Sequence, residues 1–263
     1  MSDPFALLPL ALAAGGGRLN DVETGRAVAA GFTLLQRCAP LVRALAGKRA
    51  VAVLPAGPAF LCALAASDGR GLSWSDPNLP SAELHRRTRE HRVGAVFTTQ
   101  AYVATCREAF GPELPLVLLD EAPRHARVQI LRDAGASGDS PAADAAGREI
   151  VVDLGSHFGL SVEGQREAEG RDEECLLVGD RALSHRELLA EVRAFGVAAG
   201  LTPVDRTLTI MPTVDLDVFV AGVATPLFFG GAVYVTDAVD QDMIDRIAPT
   251  RLVSADNLRA QRR

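Results

Sequence analysis

Lysine is all but absent: Lys48 is the only one among 27 basic residues, and the rest are arginine. Chemistry that needs an amine therefore has one candidate. Genomic codon bias is the expected source of the arginine excess. Cysteine is sparse, and Cys38, Cys62, Cys106 and Cys175 lie far apart with no C-x-x-C. That excludes a disulfide scaffold and a cysteine zinc site, and suits reduced, buried thiols in the cytoplasm. No stretch reaches the ~20 apolar residues of a membrane span. The apolar opening "PFALLPLALAAGGG" follows "MSD", an acid with no basic side chain, whereas a secretory signal carries the reverse. An excess of positive charge is missing too. The net charge is −6, so the chain has no nucleic-acid footprint and nucleic acid is not an expected partner. Neither G-x-x-x-x-G-K-[ST] nor G-x-G-x-x-G occurs. The glycines of "AAGGGR" precede no evident strand and are expected in a loop.

What is present is apolar sequence, 48% of the chain, enough to bury a sizeable core. Its period alternates between helical and strand-like. Residues 22–45 have helical spacing, 49–55 read as a buried strand, 57–67 as a helix and 71–74 as a strand. Residues 76–91 read as a turn and a helix with Ser81 as N-cap. Strand 93–99, helix 101–110 and strand 114–120 follow. Apolar strands separated by helices predict an α/β fold with mostly parallel sheets under layers of helices. Residues 1–131 are expected to form a first α/β unit, 132–148 a flexible Ala/Gly/Ser-rich connection, and 149–263 a second unit. In the second unit "ECLLVGDRALSHRELLAEV" (174–192) reads as strand, turn, strand and helix. Ser184 and Glu187 form a capping box at the helix start. Strand 205–212, a helix within 214–231, strand 232–237, helix 240–249 and a short last strand complete it.

Most local candidates for chemistry fail on geometry. Gly155-Ser156-His157-Phe158-Gly159 has the wrong spacing for a nucleophile elbow. His85 and His91 are six apart on a helix and point to different faces, so they do not make a metal pair. Asp215 and Asp217 form a D-x-D that could hold a divalent ion on a strand. The apolar helix after them makes capping the better explanation.

Two longer stretches resemble the adenylate-forming (AMP-binding) superfamily of acyl-CoA synthetases, peptide-synthetase adenylation domains and luciferases. The first carries Leu54-Pro55, Pro58-Ala59-Phe60, Pro77 to Pro80 and Glu83-Leu84. The second carries Ser184, His185, Leu188, Asp205-Arg206, Pro212, Pro226-Leu227 and Gly230-Gly231. The resemblance implies the N-terminal part of the family's large domain. It also implies an acyl pocket near His185, Asp215, the Val218-Phe219 step, Gly230 and Gly231, with ATP, Mg and CoA as the family's cofactors.

The family's Ser/Thr/Gly-rich phosphate loop, ending in Pro-Lys-Gly, lies between the two strands before this helix. Here only Gly179-Asp180 joins them, a pair that suits a two-residue type II′ hairpin turn. Asp215 takes the place of the family histidine, and Lys48, in an early loop, cannot replace the family's catalytic lysine. No catalytic residue, metal or cofactor is expected of the chain alone. The expected function is that of a truncated, catalytically impaired relative of carboxylic acid ligases. The alternatives are a non-catalytic module for an acyl-type ligand or a partner protein, the N-terminal part of a split ligase, and an unrelated α/β enzyme. Leu227, Phe228, Phe229 and Val233 are expected to be uncovered and to carry association, as a homodimer or with a partner protein.

Overall fold

The computed structural model describes residues 16–27, 49–67, 71–88, 93–112, 114–119, 125–131, 149–153 and 174–261. The candidates at Lys48, Cys38, His91 and 155–159, the expected connection at 132–148 and residues 28–45 of the expected first helix lie outside them, and Cys62 is described in backbone alone.

The short apolar runs become the middle of an eight-stranded sheet. Strands β2 (Arg49–Val53), β3 (Leu72–Ser75), β4 (Val93–Thr98) and β5 (Leu116–Leu118) alternate with helices α1 (Pro58–Ala66), α2 (Ser81–Thr88) and α3 (Val103–Phe110). β6 (His125–Leu131), β7 (Glu149–Asp153), β8 (Glu174–Val178) and β9 (Arg181–Ser184) complete the order β7-β6-β5-β4-β2-β3-β8-β9. The pairs from β5 across to β8 are parallel, and the outer pairs are antiparallel. A parallel strand is covered on both faces, so β2 is apolar at nearly every position. Val51 and Val53 pack with Leu84, Val96, Cys106 and Leu116, whereas Ala50, Ala52 and Leu54 join the main core on the other face.

The second sheet has four parallel strands in the order β1-β11-β10-β12. They are β1 (Arg18–Asn20), β10 (Arg206–Ile210), β11 (Ala232–Thr236) and β12 (Arg251–Val253). Helix α4 (His185–Ala199) precedes β10. One helical rod follows it, made of α5 (Leu216–Phe219), a π-turn (Val220–Ala224) and α6 (Thr225–Phe228), and then come α7 (Gln241–Ile247) and α8 (Ala255–Gln261). The sheets do not follow chain order: β1 joins the late strands, and β8 and β9 join the early ones. An aromatic triad ties the sheets into one core. The rings of Phe60 and Trp74 stack at 3.6 Å, and Phe219 meets each edge-on at 5.4 Å. The Trp74 indole N–H is satisfied by the Leu54 carbonyl at 2.9 Å, as a buried indole requires.

Four sequence expectations change. The glycines of "AAGGGR" do precede a strand, β1, whose three residues are too few to show a period. Gly17 packs directly on the Leu227 backbone, where a side chain would not fit, and Arg18 N–H reaches Gly231 O at 2.9 Å. The helix expected from residue 22 does not start there: Asp21 caps a turn through the Thr24 N–H and hydroxyl, both at 2.7 Å. Ser81 lies inside α2 rather than at its N-cap, because Leu84 N–H bonds the Pro80 carbonyl. Leu227 and Val233 are buried by the chain itself, and Phe228 and Phe229 are half-buried. The uncovered surface expected there is absent, because β1 pairs with β11 and α4 packs on α6.

Candidate functional site

The hairpin between β8 and β9 decides what this region can bind. Val178 pairs with Arg181 across the turn, so Gly179 and Asp180 are its two central residues. Gly179 has φ +59°, while Asp180 is not among the positive-φ residues, which is the type II′ pattern. A two-residue turn offers few backbone N–H groups, and a triphosphate needs several converging ones together with cations.

Two cations lie near the turn: Arg86, which is paired with Glu83 and also feels Asp180, and Arg181, which is engaged as well. Its Nη1 donates to Asp217 Oδ1 at 2.7 Å, and its Nη2 lies 3.6 Å from Glu191 Oε1. The hydrogen bond to Asp217 raises the guanidinium pKa further, so Arg181 stays charged and locked. Behind this ion cluster opens a cleft of about 610 Å³, lined on its apolar side by Ala194, Phe195, Val220, Ala221 and Leu258. A second cleft of about 330 Å³ shares Phe195, Ala221 and Leu258 with it and runs to β12.

The capping box forms as the sequence requires. The Ser184 N–H and hydroxyl each reach Glu187 Oε2 at 2.8 Å, and Glu187 N–H returns to Ser184 Oγ at 3.2 Å. The Ser184 backbone bond, with the hydroxyl bond, holds the Glu187 carboxyl below its usual range. His185, next in line, is buried at 1% exposure. Asp215 caps α5, accepting the Val218 N–H at 3.1 Å. Val218 and Phe219 are buried in the core, and Gly230 (φ +87°) and Gly231 form the turn between α6 and β11. None of these residues lines either cleft.

Asp215 and Asp217 part company, one to the helix cap and the other to Arg181. Among the described residues no group of three or more His, Cys, Asp or Glu could hold a metal. His85 joins α2 to α3 through Ala109 O, at 2.9 Å from its Nδ1. Among the described residues no helix is long and apolar enough to cross a membrane. Sequence reasoning missed Arg181, Glu191 and the apolar lining. For Glu191, Ala194 and Phe195 the signal was one face of α4, since Ala194 and Phe195 follow Glu191 by three and four residues; Arg181, the π-turn and Leu258 gave none.

No protein-family model and no curated protein matches the sequence. Solved structures do match, and they are adenylate-forming enzymes. CmiS6 is 17% identical with a TM-score of 0.65, over 96% of this chain and 59% of that one. ATP-bound MatB from Rhodopseudomonas palustris is 17% identical with a TM-score of 0.64, over 94% of this chain and 48% of that one. VinN in complex with L-aspartate is 13% identical with a TM-score of 0.64, over 94% and 66%. The chain therefore shares the α/β fold of these structures, and it spans between 48% and 66% of their length.

Proposed function

We propose that this chain is a relative of the adenylate-forming ligases that keeps their scaffold without their phosphate chemistry, and that it holds a small acyl-type ligand rather than ATP. One observation carries the reading. Where the family's phosphate loop would lie, Gly179 and Asp180 close β8 on β9 as a two-residue turn. The groups there do not fit a nucleotide triphosphate: few N–H donors converge, Asp180 adds a negative charge, Arg181 is held by Asp217 and Glu191, and Arg86 is held by Glu83. Losing a single stabilising donor typically costs ~10²–10³ in rate, and here the whole cradle is replaced. ATP, Mg and CoA are properties of the resemblance and are not assigned to this chain.

The cleft beside the hairpin supports the ligand half of the proposal. Its floor is aliphatic and aromatic, and its polar groups sit to one side, as in small-molecule sites. An association with a second polypeptide would use surface other than Leu227 and Val233. The test is pyrophosphate exchange with a panel of carboxylic acids. Exchange at background throughout is expected, and acid-dependent exchange would make the chain a working ligase.

A further inference from the structure

The two helical walls of the larger cleft repeat one pattern. On α4, Glu191 is followed by Ala194 and Phe195, and on the rod Asp217 is followed at the same spacing by Val220 and Ala221. That spacing puts each acid on one helix face with its two apolar residues, which lie one turn further on. The two helices run in the same sense. α4 leads into β10 and the rod into β11, and these strands are parallel neighbours. The helices meet again further along, where a Cβ on Gly196 would strike the Phe229 ring. Both acids therefore stand at one end of the cleft, the end beside the hairpin, and the apolar walls run away from it.

Arg181 spans that end. Its Nη1 donates to Asp217 Oδ1 at 2.7 Å and its Nη2 lies 3.6 Å from Glu191 Oε1, so one guanidinium bridges the two walls. The backbone of Arg181 is held, since it pairs with Val178 inside the hairpin. Both acids ride on capped helices, α4 through the Ser184–Glu187 box and α5 through Asp215. The part free to yield is the bridge itself. The side chains of Arg181, Glu191 and Asp217 are 49%, 40% and 32% exposed. Ion pairs as exposed as these are weak and are screened by salt. Exposed side chains change rotamer in picoseconds to nanoseconds, so the bridge can open and close without unfolding.

We infer that Arg181 is a gate on the hairpin end of this cleft, closed while it bridges Asp217 and Glu191 and opened by ionic strength. The gate is shut in this structure, and passage at that end requires Arg181 to leave Asp217. That the cleft holds a ligand rests on the function proposed above. The gate belongs to the chain alone and is tested without a ligand.

The experiment places a reporter inside. Val220 is 5% exposed and lines the larger cleft but not the smaller one. Val220→Cys is labelled with N-ethylmaleimide, a neutral reagent, at about 20 mM and about 1 M sodium chloride. Wild type, whose Cys106 and Cys175 are buried, gives the background. Labelling about fivefold faster in high salt is expected, the upper scale of one exposed ion pair. With Arg181→Gln added, labelling should be fast at both salt concentrations. Asp217→Asn, which keeps the cation and removes its shorter bond, should do the same. A salt-independent rate with Arg181 in place, the same salt acceleration in Arg181→Gln, or slow labelling in either double variant would overturn the gate. Salt-gated labelling in a chain that binds no acyl-type ligand would instead count against the proposed function and leave the gate standing.

Discussion

The Thr209 hydroxyl takes the place of a missing backbone N–H: it donates to the Gly222 carbonyl at 2.6 Å, four residues before Pro226. A regular helix would bond that carbonyl to residue 226, and proline has no N–H to give. The rod therefore widens into the π-turn, with the Thr225 hydroxyl closing on Val220 O at 2.7 Å. A Cβ on Gly222 would fall 2.5 Å from Thr209 Oγ1 and 2.6 Å from its Cγ2. Gly222→Ala should thus destabilise the fold by about 1–3 kcal/mol through overpacking. Thr209→Val should cost about 1–3 kcal/mol by leaving a buried carbonyl unpaired. Urea unfolding midpoints of the two variants check both.

The hairpin makes a backbone prediction. Gly179 sits at φ +59° with open space around the position of a Cβ. Only conformation, not crowding, limits substitution there. Gly179→Val should lose about 1–2 kcal/mol, and Gly179→Asn, which enters the left-handed region more easily, should lose less. Equal stability of the two variants in thermal unfolding would contradict the turn.

The aromatic triad supplies its own reporter, since Trp74 is the one tryptophan of the chain. Phe219→Ala removes the ring that meets both Phe60 and Trp74. A loss of about 3–5 kcal/mol is expected, with red-shifted tryptophan emission as water reaches the indole. Unchanged emission and stability would show that the two sheets do not share this core.

Asp205 sets a pH dependence. Burial pulls its carboxyl up, but the Thr202 N–H, the Thr202 and Thr250 hydroxyls and Arg251 outweigh that and hold it below the ordinary range. A carboxyl depressed in the folded state stabilises fully above its unfolded pKa, near 4, and loses that contribution as pH falls through the folded value. Asp205→Asn should lower stability at neutral pH and reduce the loss on acidification. Unfolding midpoints between pH 7 and pH 3 measure it.

Long, locally encoded features were legible in the sequence. The buried parallel strands, the Ser184–Glu187 box, the Asp215 cap and the two-residue turn each follow from a few adjacent residues. What escaped depends on partners far along the chain. β1 exists because β11, more than 200 residues later, offers an edge, and Leu227 and Val233 are buried for the same reason. The π-turn depends on Thr209, thirteen residues before Gly222. The clefts escaped because their walls come from α4, the π-turn, β12 and α8 together. Of the pocket residues carried over from the resemblance, His185, Val218 and Gly231 are buried and Asp215 and Gly230 are half-buried.

Calorimetric titration of the whole chain with Mg-ATP tests the central claim most directly. The two-residue turn at Gly179–Asp180 and the locked Arg181 predict no saturable heat at millimolar nucleotide. A micromolar dissociation constant would contradict the account and return the chain to the ATP-using ligases.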